Sequence, residues 1–185
     1  MDLDKAIKSR RSVRKFKSKT PDWRAIIECI DLARYAPSAG NNFTLQFIVV
    51  DNKESIKKLA EACQQDFISK AQYVVVVCSN KERLVNAYGK KGESFNKQQA
   101  GSAIQNFLLA LQERGLSTCW IGYFVDNLIK KELKIPENIE VEALFPIGYE
   151  SEKPVRIKEK IDLDAILYFN VYKNKRMKGD RMLDV

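Results

Sequence analysis

Arg10, Ser12 and Arg14 recur at every second position in the stretch RRSVRKF, residues 10–16. In an extended chain successive side chains point to opposite sides, so these three share one side while Arg11 and Val13 face the other. Two guanidiniums flanking a hydroxyl can grip a phosphate through fork-shaped, charge-assisted hydrogen bonds. The same run also suits a solvated basic arm or the grip of a nucleic-acid-binding protein. The first twenty residues hold eight lysines and arginines against two aspartates, and the whole chain of 185 residues carries a formal charge of +8. An anionic partner is therefore expected, and charge alone does not choose between a polymer and a small molecule.

Two other stretches could meet a flat ligand. In YAPSAGNNF the small residues Ser38, Ala39 and Gly40 follow Pro37 and precede Asn41. Such residues let a ligand approach the backbone, and the asparagine adds a donor and an acceptor. In CWIGYF a strand reaches Ile121 and Gly122, where backbone N–H groups can face a ligand. Read alone, the first is an ordinary connection and the second an ordinary strand end.

Other chemistries are excluded. The chain contains no histidine, which removes Ser-His and Cys-His nucleophile pairs, histidine bases, imidazole zinc sites and the facial triad of non-haem iron. Neither a G-x-x-x-x-G-K-[ST] nor a G-x-G-x-x-G pattern occurs, so a Walker or Rossmann nucleotide site is not expected. Cys29, Cys63, Cys78 and Cys119 form no C-x-x-C pair and lie in apolar settings, where thiols behave as small hydrophobes. Catalysis in such a chain would draw its chemistry from a cofactor.

The elements that must position these residues follow from periodicity. A short helix ends near Ser9, just before the arginines. Thr20 and Pro21 read as the cap and first turn of a helix with Trp23, Ile26, Ile27, Ile30 and Ala33 on one face, which Pro37 stops. QFIVV reads as a buried strand, and residues 53–67 as an amphipathic helix. YVVVVCS at 73–79 is a strand by its β-branched run and its length. Residues 86–99 read as an irregular surface loop or a lid. A helix with a wide apolar face runs from Gln99 to Arg114, either central to the core or shared with a second subunit. STCWIGYF and IEVEALFPIGY read as strands flanking the short helix DNLIKKELKI. No apolar run approaches the roughly 20 residues of a membrane span and the start is polar, which suggests the cytoplasm. No repeat or linker divides the chain, so a single α+β domain over 1–185 is expected.

At this point the residues carry a resemblance. RRSVRKF resembles the N-terminal R-[RH]-S-x-[RK]-x-F of the FMN-dependent nitroreductase family, and APSAGNNFTLQFIVV resembles its A-P-S-[SA]-x-N stretch and following strand. AGSAIQNFLLALQERGLSTCWIGYF is similar to the family's long central helix and C-W-I-G strand end. IPENIEVEALFPIGYESEKPVRIKEKIDLDAIL resembles its I-P-E…G-Y-P…R-x-P-L-E-E-I ending. The match covers nearly the whole chain, in the right order.

The resemblance implies a mixed, mainly antiparallel central sheet flanked by helices, in a homodimer with FMN at the subunit interface. Arg10, Arg11, Ser12 and Arg14 would lie along the phosphate, ribityl and pyrimidine side of FMN. Pro37, Ser38, Ala39, Gly40 and Asn41 of the partner would border the ring, and the backbone at Ile121 and Gly122 would approach flavin N5. Lys160, with Lys158 as the alternative, aligns with a second basic contact to the phosphate. The tail from about 161 to 185 could wrap the partner, and the 99–114 helix would form the dimer core. The activity implied is NADH- or NADPH-dependent reduction of a small organic acceptor through FMN, with no catalytic side chain assigned and no metal. A basic nucleic-acid-binding protein and a flavin-binding protein without reductase activity are the competing readings. Three departures stand out. Phe43, Thr44 and Leu45 replace the family's Gln, Pro and Trp, Glu150 replaces the proline of G-Y-P, and Lys160, a point charge rather than a fork, replaces the arginine of R-x-P-L-E-E.

Overall fold

Two consecutive valine pairs set the architecture, because in a pleated strand alternate side chains enter opposite layers. The computed structural model describes residues 2–152 and 160–177. In β2 (Tyr73–Ser79) all four valines are fully buried; Val75 and Val77 enter one core with Phe107 and Phe145, Val74 and Val76 the other with Leu59 and Ile129. A strand buried on both faces needs helices on both. The first core is closed by α2 (Trp23–Ala33) and α5 (Lys90–Glu113), the second by α3 (Lys53–Ala62) and α6 (Asp126–Leu133).

The sheet runs β1 (Leu45–Val50), β2, β4 (Glu140–Gly148), β3 (Ser117–Thr118), and its three ladders are antiparallel. A parallel step enters through the isolated bridge between Ser12 and Thr118. The mixed, mainly antiparallel sheet is as expected from the sequence.

Local chemistry moved several boundaries. Asp2 caps α1 (Leu3–Ser9), its carboxylate accepting from the Lys5 N–H at 3.0 Å. The cap of α2 is Asp22, not Thr20, with the carboxylate accepting from the Arg24 N–H at 2.9 Å; a short acidic side chain suits the positive helix end. The helix expected over 53–67 stops at Ala62 because Gln64 takes φ 53°, and a 3-10 turn over Asp66–Lys70 follows.

Residues 86–99 are not a loop. α4 (Glu82–Tyr88) ends at Gly89 (φ 57°), and α5 starts at once and runs for 24 residues. The two glycines that suggested a loop have separate tasks. Gly89 supplies the left-handed break. Gly92 lets α5 lie on the backbone of α4, since a Cβ there would stand 2.3 Å from the Leu84 carbonyl oxygen. Tyr88 and Phe95 meet edge to face across the same corner at 5.2 Å.

The strand expected over STCWIGYF is also shorter. After Thr118 pairs with Ile147, the same register places Pro146 opposite Cys119, and proline has no N–H to offer the ladder. Pairing resumes only at Ile121, which exchanges two hydrogen bonds of 3.0 Å with Leu144.

Residues 1–152 and 153–185 are separate compact units. Within the second, α7 (Leu163–Ile166) is capped by Asp162, Lys175 donates to the Asp164 and Leu167 carbonyls, and its ammonium lies 4.0 Å from the Tyr168 ring.

Candidate functional site

The arginine segment is extended because neighbours on both sides take its backbone. The Val13 N–H donates to the Thr118 carbonyl at 2.9 Å, the Lys17 N–H to Tyr149 at 2.7 Å, and the Ser151 N–H to the Lys15 carbonyl at 3.0 Å. Phe16 bridges to Glu150 and covers Gly148, where a Cβ would stand 3.0 Å from the Phe16 ring. Val13 is buried, so its side chain anchors the segment.

The alternation read from the sequence separates the cations. On the Val13 side, Arg11 forms a two-point pair with Glu150: Nε donates to Oε1 at 3.2 Å and Nη2 to Oε2. Lys15 pairs with Glu152 at 2.8 Å. On the other side, Arg10 and Arg14 make no ion pair among the described residues. The Arg14 guanidinium stands 5.9 Å from the Phe67 ring centroid, and Ser12 is exposed.

Thr118 joins this segment to the strand end. Its Oγ1 is buried without a hydrogen-bond partner among the described residues, a costly state for a hydroxyl. Three and four residues on stand Ile121, buried and held by Leu144, and Gly122, exposed. A Cβ on Gly122 would meet only the Trp120 indole, at 3.7 Å, and its φ is not positive. Among the described residues nothing requires glycine there. Arg10, Ser12, Arg14, Ile121 and Gly122 thus follow one edge of the sheet.

The turn Pro37–Asn41 lies elsewhere. Ala39–Asn41 form a 3-10 turn with Gly40 and Asn41 at φ 57° and 55°, and a Cβ on Gly40 would stand 2.6 Å from the Tyr88 hydroxyl. The turn leads into β1 at Leu45, opposite Ser79, whereas the arginine segment meets β4 at Gly148 and β3 on the other edge. The two groups stand at diagonally opposite corners of the sheet. At ~3.3 Å per residue β4 alone separates its ends by about 25 Å. One chain does not bring them together.

Lys160 is exposed in the second unit, and Lys158 falls outside the described residues. Among the described residues no group of His, Cys, Asp or Glu could hold a metal. Burial pushes the thiols of Cys29, Cys63 and Cys78 up to about 11, so they stay protonated and poorly nucleophilic. Sequence reasoning missed the tether of the Asn41 turn, in which Gln99 Nε2 donates to the Asn42 carbonyl at 2.9 Å and Gln99 Oε1 accepts from the Thr44 N–H at 2.8 Å. A polar Thr44 inside an apolar run was the available signal.

Residues 7–84 and 62–149 match the model of the nitroreductase family. A protein of Methanothermobacter thermautotrophicus named "Putative NADH dehydrogenase/NAD(P)H nitroreductase" is 32% identical over 159 residues, covering 83% of this chain and 80% of that one. The solved structure of a nitroreductase family protein from Clostridium novyi NT superposes with a TM-score of 0.76 at 28% identity, covering 98% of this chain and all of the other (100%). That of an FMN-dependent nitroreductase from Clostridium difficile R20291 gives 0.78 at 26% identity, over 92% of this chain and 100% of the other. The chain belongs to the nitroreductase family.

Proposed function

We propose that this protein is an FMN-dependent oxidoreductase that uses NADH or NADPH to reduce a small organic acceptor of the nitroaromatic or quinone kind. The observation that carries this reading is the sheet edge on which two guanidiniums with no carboxylate partner among the described residues, Arg10 and Arg14, lead past Thr118 to a glycine that no described residue requires. When bound there, FMN supplies hydride acceptance from the nicotinamide and two-electron delivery to the acceptor.

The chain's own part is binding and electrostatics. Arg10 and Ser12 hold the phosphate end, and Arg14 places positive charge by the ribityl and pyrimidine side, where reduction adds negative charge. The backbone at Ile121 and Gly122 leaves room for the ring. Hydride transfer needs no acid or base side chain, in keeping with a chain that has no histidine.

A second copy completes the site. The Pro37–Asn41 turn is diagonal to the arginine segment within one chain, so a homodimer in which each turn borders the partner's ring gives both groups one ligand. In this reading residues 1–185 act as a single FMN-binding domain. Among the described residues no helix is long and apolar enough to cross a membrane.

An absorbance spectrum of the purified protein tests the reading. Flavin bands near ~450 nm that bleach with NADH or NADPH are expected. Colourless protein that also fails to take up added FMN would overturn it.

A further inference from the structure

The structure sets one of the three arginines of RRSVRKF apart from the other two. Arg11 turns to Glu150, and the backbone fixes that meeting: Phe16 bridges to Glu150, and the flanking residues Tyr149 and Ser151 are hydrogen-bonded to Lys17 and Lys15 at 2.7 and 3.0 Å. The carboxylate is therefore held beside the segment by its own chain. Its pair with Arg11 uses both oxygens, and the two side chains are only 37% and 23% exposed. The next cation on the segment, Lys15, meets Glu152 in the same way but with both partners well exposed.

Acids at 150 and 152 thus take Arg11 and Lys15, and no acid among the described residues takes Arg10 or Arg14. A guanidinium that forks side-on onto one carboxylate has its charge offset there and only its remaining Nη donors to offer a second anion. Withdrawing it would leave a partly buried carboxylate unpaired, which is the costly outcome for such pairs.

Building on the FMN reading above, we propose that Glu150 is a specificity-determining residue that withholds Arg11 from the ligand, so that the phosphate is met by Arg10 and Ser12 while Arg14 serves the ribityl and pyrimidine side. The ligand then meets two guanidiniums where the sequence offers three. Glu150 acts through Arg11 and does not touch the ligand.

The test is titration of cofactor-free protein with FMN and with riboflavin, which lacks the phosphate. The ratio of the two affinities isolates the phosphate and cancels any general loss of folded protein. Arg10→Ala is expected to lower the preference for FMN roughly fivefold or more, and Arg11→Ala by less than about twofold. Glu150→Gln frees Arg11 and is expected to raise the preference about threefold, a gain that disappears in the Arg11→Ala/Glu150→Gln double variant. Arg11→Ala costing as much as Arg10→Ala, or Glu150→Gln leaving the ratio unchanged or lower, would overturn the proposal while leaving the cofactor reading intact. Wild-type protein that takes up neither flavin would sink the cofactor reading and this proposal together.

Discussion

Thr44 and Gln99 are joined twice: the Thr44 backbone N–H and its hydroxyl both lie 2.8 Å from Gln99 Oε1. The other end of the same carboxamide reaches the Asn42 carbonyl, so Gln99 straddles the turn that begins at Pro37. A proline at 44 would fix the backbone through its ring; threonine instead offers an N–H and a hydroxyl to α5. The network continues inward, with Thr44 Oγ1 2.7 Å from Asn96 Oδ1, and Asn96 Nδ2 donating to Ser79 Oγ at 2.9 Å. Gln99→Leu would strand the Asn42 carbonyl and the Thr44 N–H in a buried place. We expect it to destabilise the fold by about 2–4 kcal/mol, at ~1–3 kcal/mol per stranded group. Gln99→Glu keeps an acceptor for Thr44 but turns a second carboxylate oxygen toward the Asn42 carbonyl at a position only 2% exposed, so it should cost at least as much. Urea denaturation of the two variants measures both, and a loss under about 0.5 kcal/mol for Gln99→Leu would show that the turn is held by other means.

The arginine segment was legible because its alternation needs only the geometry of an extended chain, and Val13 and Arg11 do face away from Ser12. The valine strand was legible for the same reason. What escaped depends on partners distant in sequence. Gly89 and Gly92 read as loop residues until Leu84 shows that one breaks a helix and the other packs it. The break after Thr118 is caused by Pro146, which lies opposite Cys119 only in the folded register. Glu150 reads as a lost proline and gains its meaning from Arg11, 139 positions away.

The buried thiols give the protein an alkaline limit. Desolvation raises Cys29 and Cys63 from 9.0 to about 11, and Cys78 likewise with help from Glu142 and Asp126. Below the unfolded value the thiols are protonated in both states, so stability does not depend on them there. Between about pH 9 and 11 the unfolded chain loses these protons while the native state keeps them, so stability falls as pH rises. The loss should be on the order of 2 kcal/mol per thiol. Cys29→Ala should flatten the decline in denaturation midpoint between pH 8.5 and 10.5 relative to wild type; equal slopes would contradict the burial account.

Gly101 sits well inside α5, where glycine costs roughly 0.5–1 kcal/mol against alanine. A Cβ there would meet nothing within 4 Å, so packing inside the chain gives no reason for it. In the proposed dimer this helix meets its partner, and a missing side chain lets two backbones approach. Gly101→Leu is expected to weaken dimerisation about tenfold or more, ~1.4 kcal/mol, while the circular dichroism spectrum stays unchanged. Sedimentation equilibrium reads the association directly. An unaltered dimer would remove α5 at Gly101 from the interface.

Gly122 allows the proposed cofactor contact to be separated from folding. Its φ is not positive, and an added Cβ would lie at ordinary contact distance from Trp120, so the described residues accept a Cβ at this exposed position. Gly122→Val should therefore change folding stability by less than about 0.5 kcal/mol, as for most exposed positions. A flavin ring lying against that backbone would meet the new branched side chain directly. FMN affinity should then fall by about tenfold or more, ~1.4 kcal/mol, and riboflavin affinity should fall with it, because the clash is at the ring and not at the phosphate. Arg10→Ala gives the opposite signature, a loss confined to FMN. If Gly122→Val binds both flavins as wild type does, Gly122 is only the end of a strand, and the ring must be placed elsewhere along the edge that Arg10, Ser12 and Arg14 define.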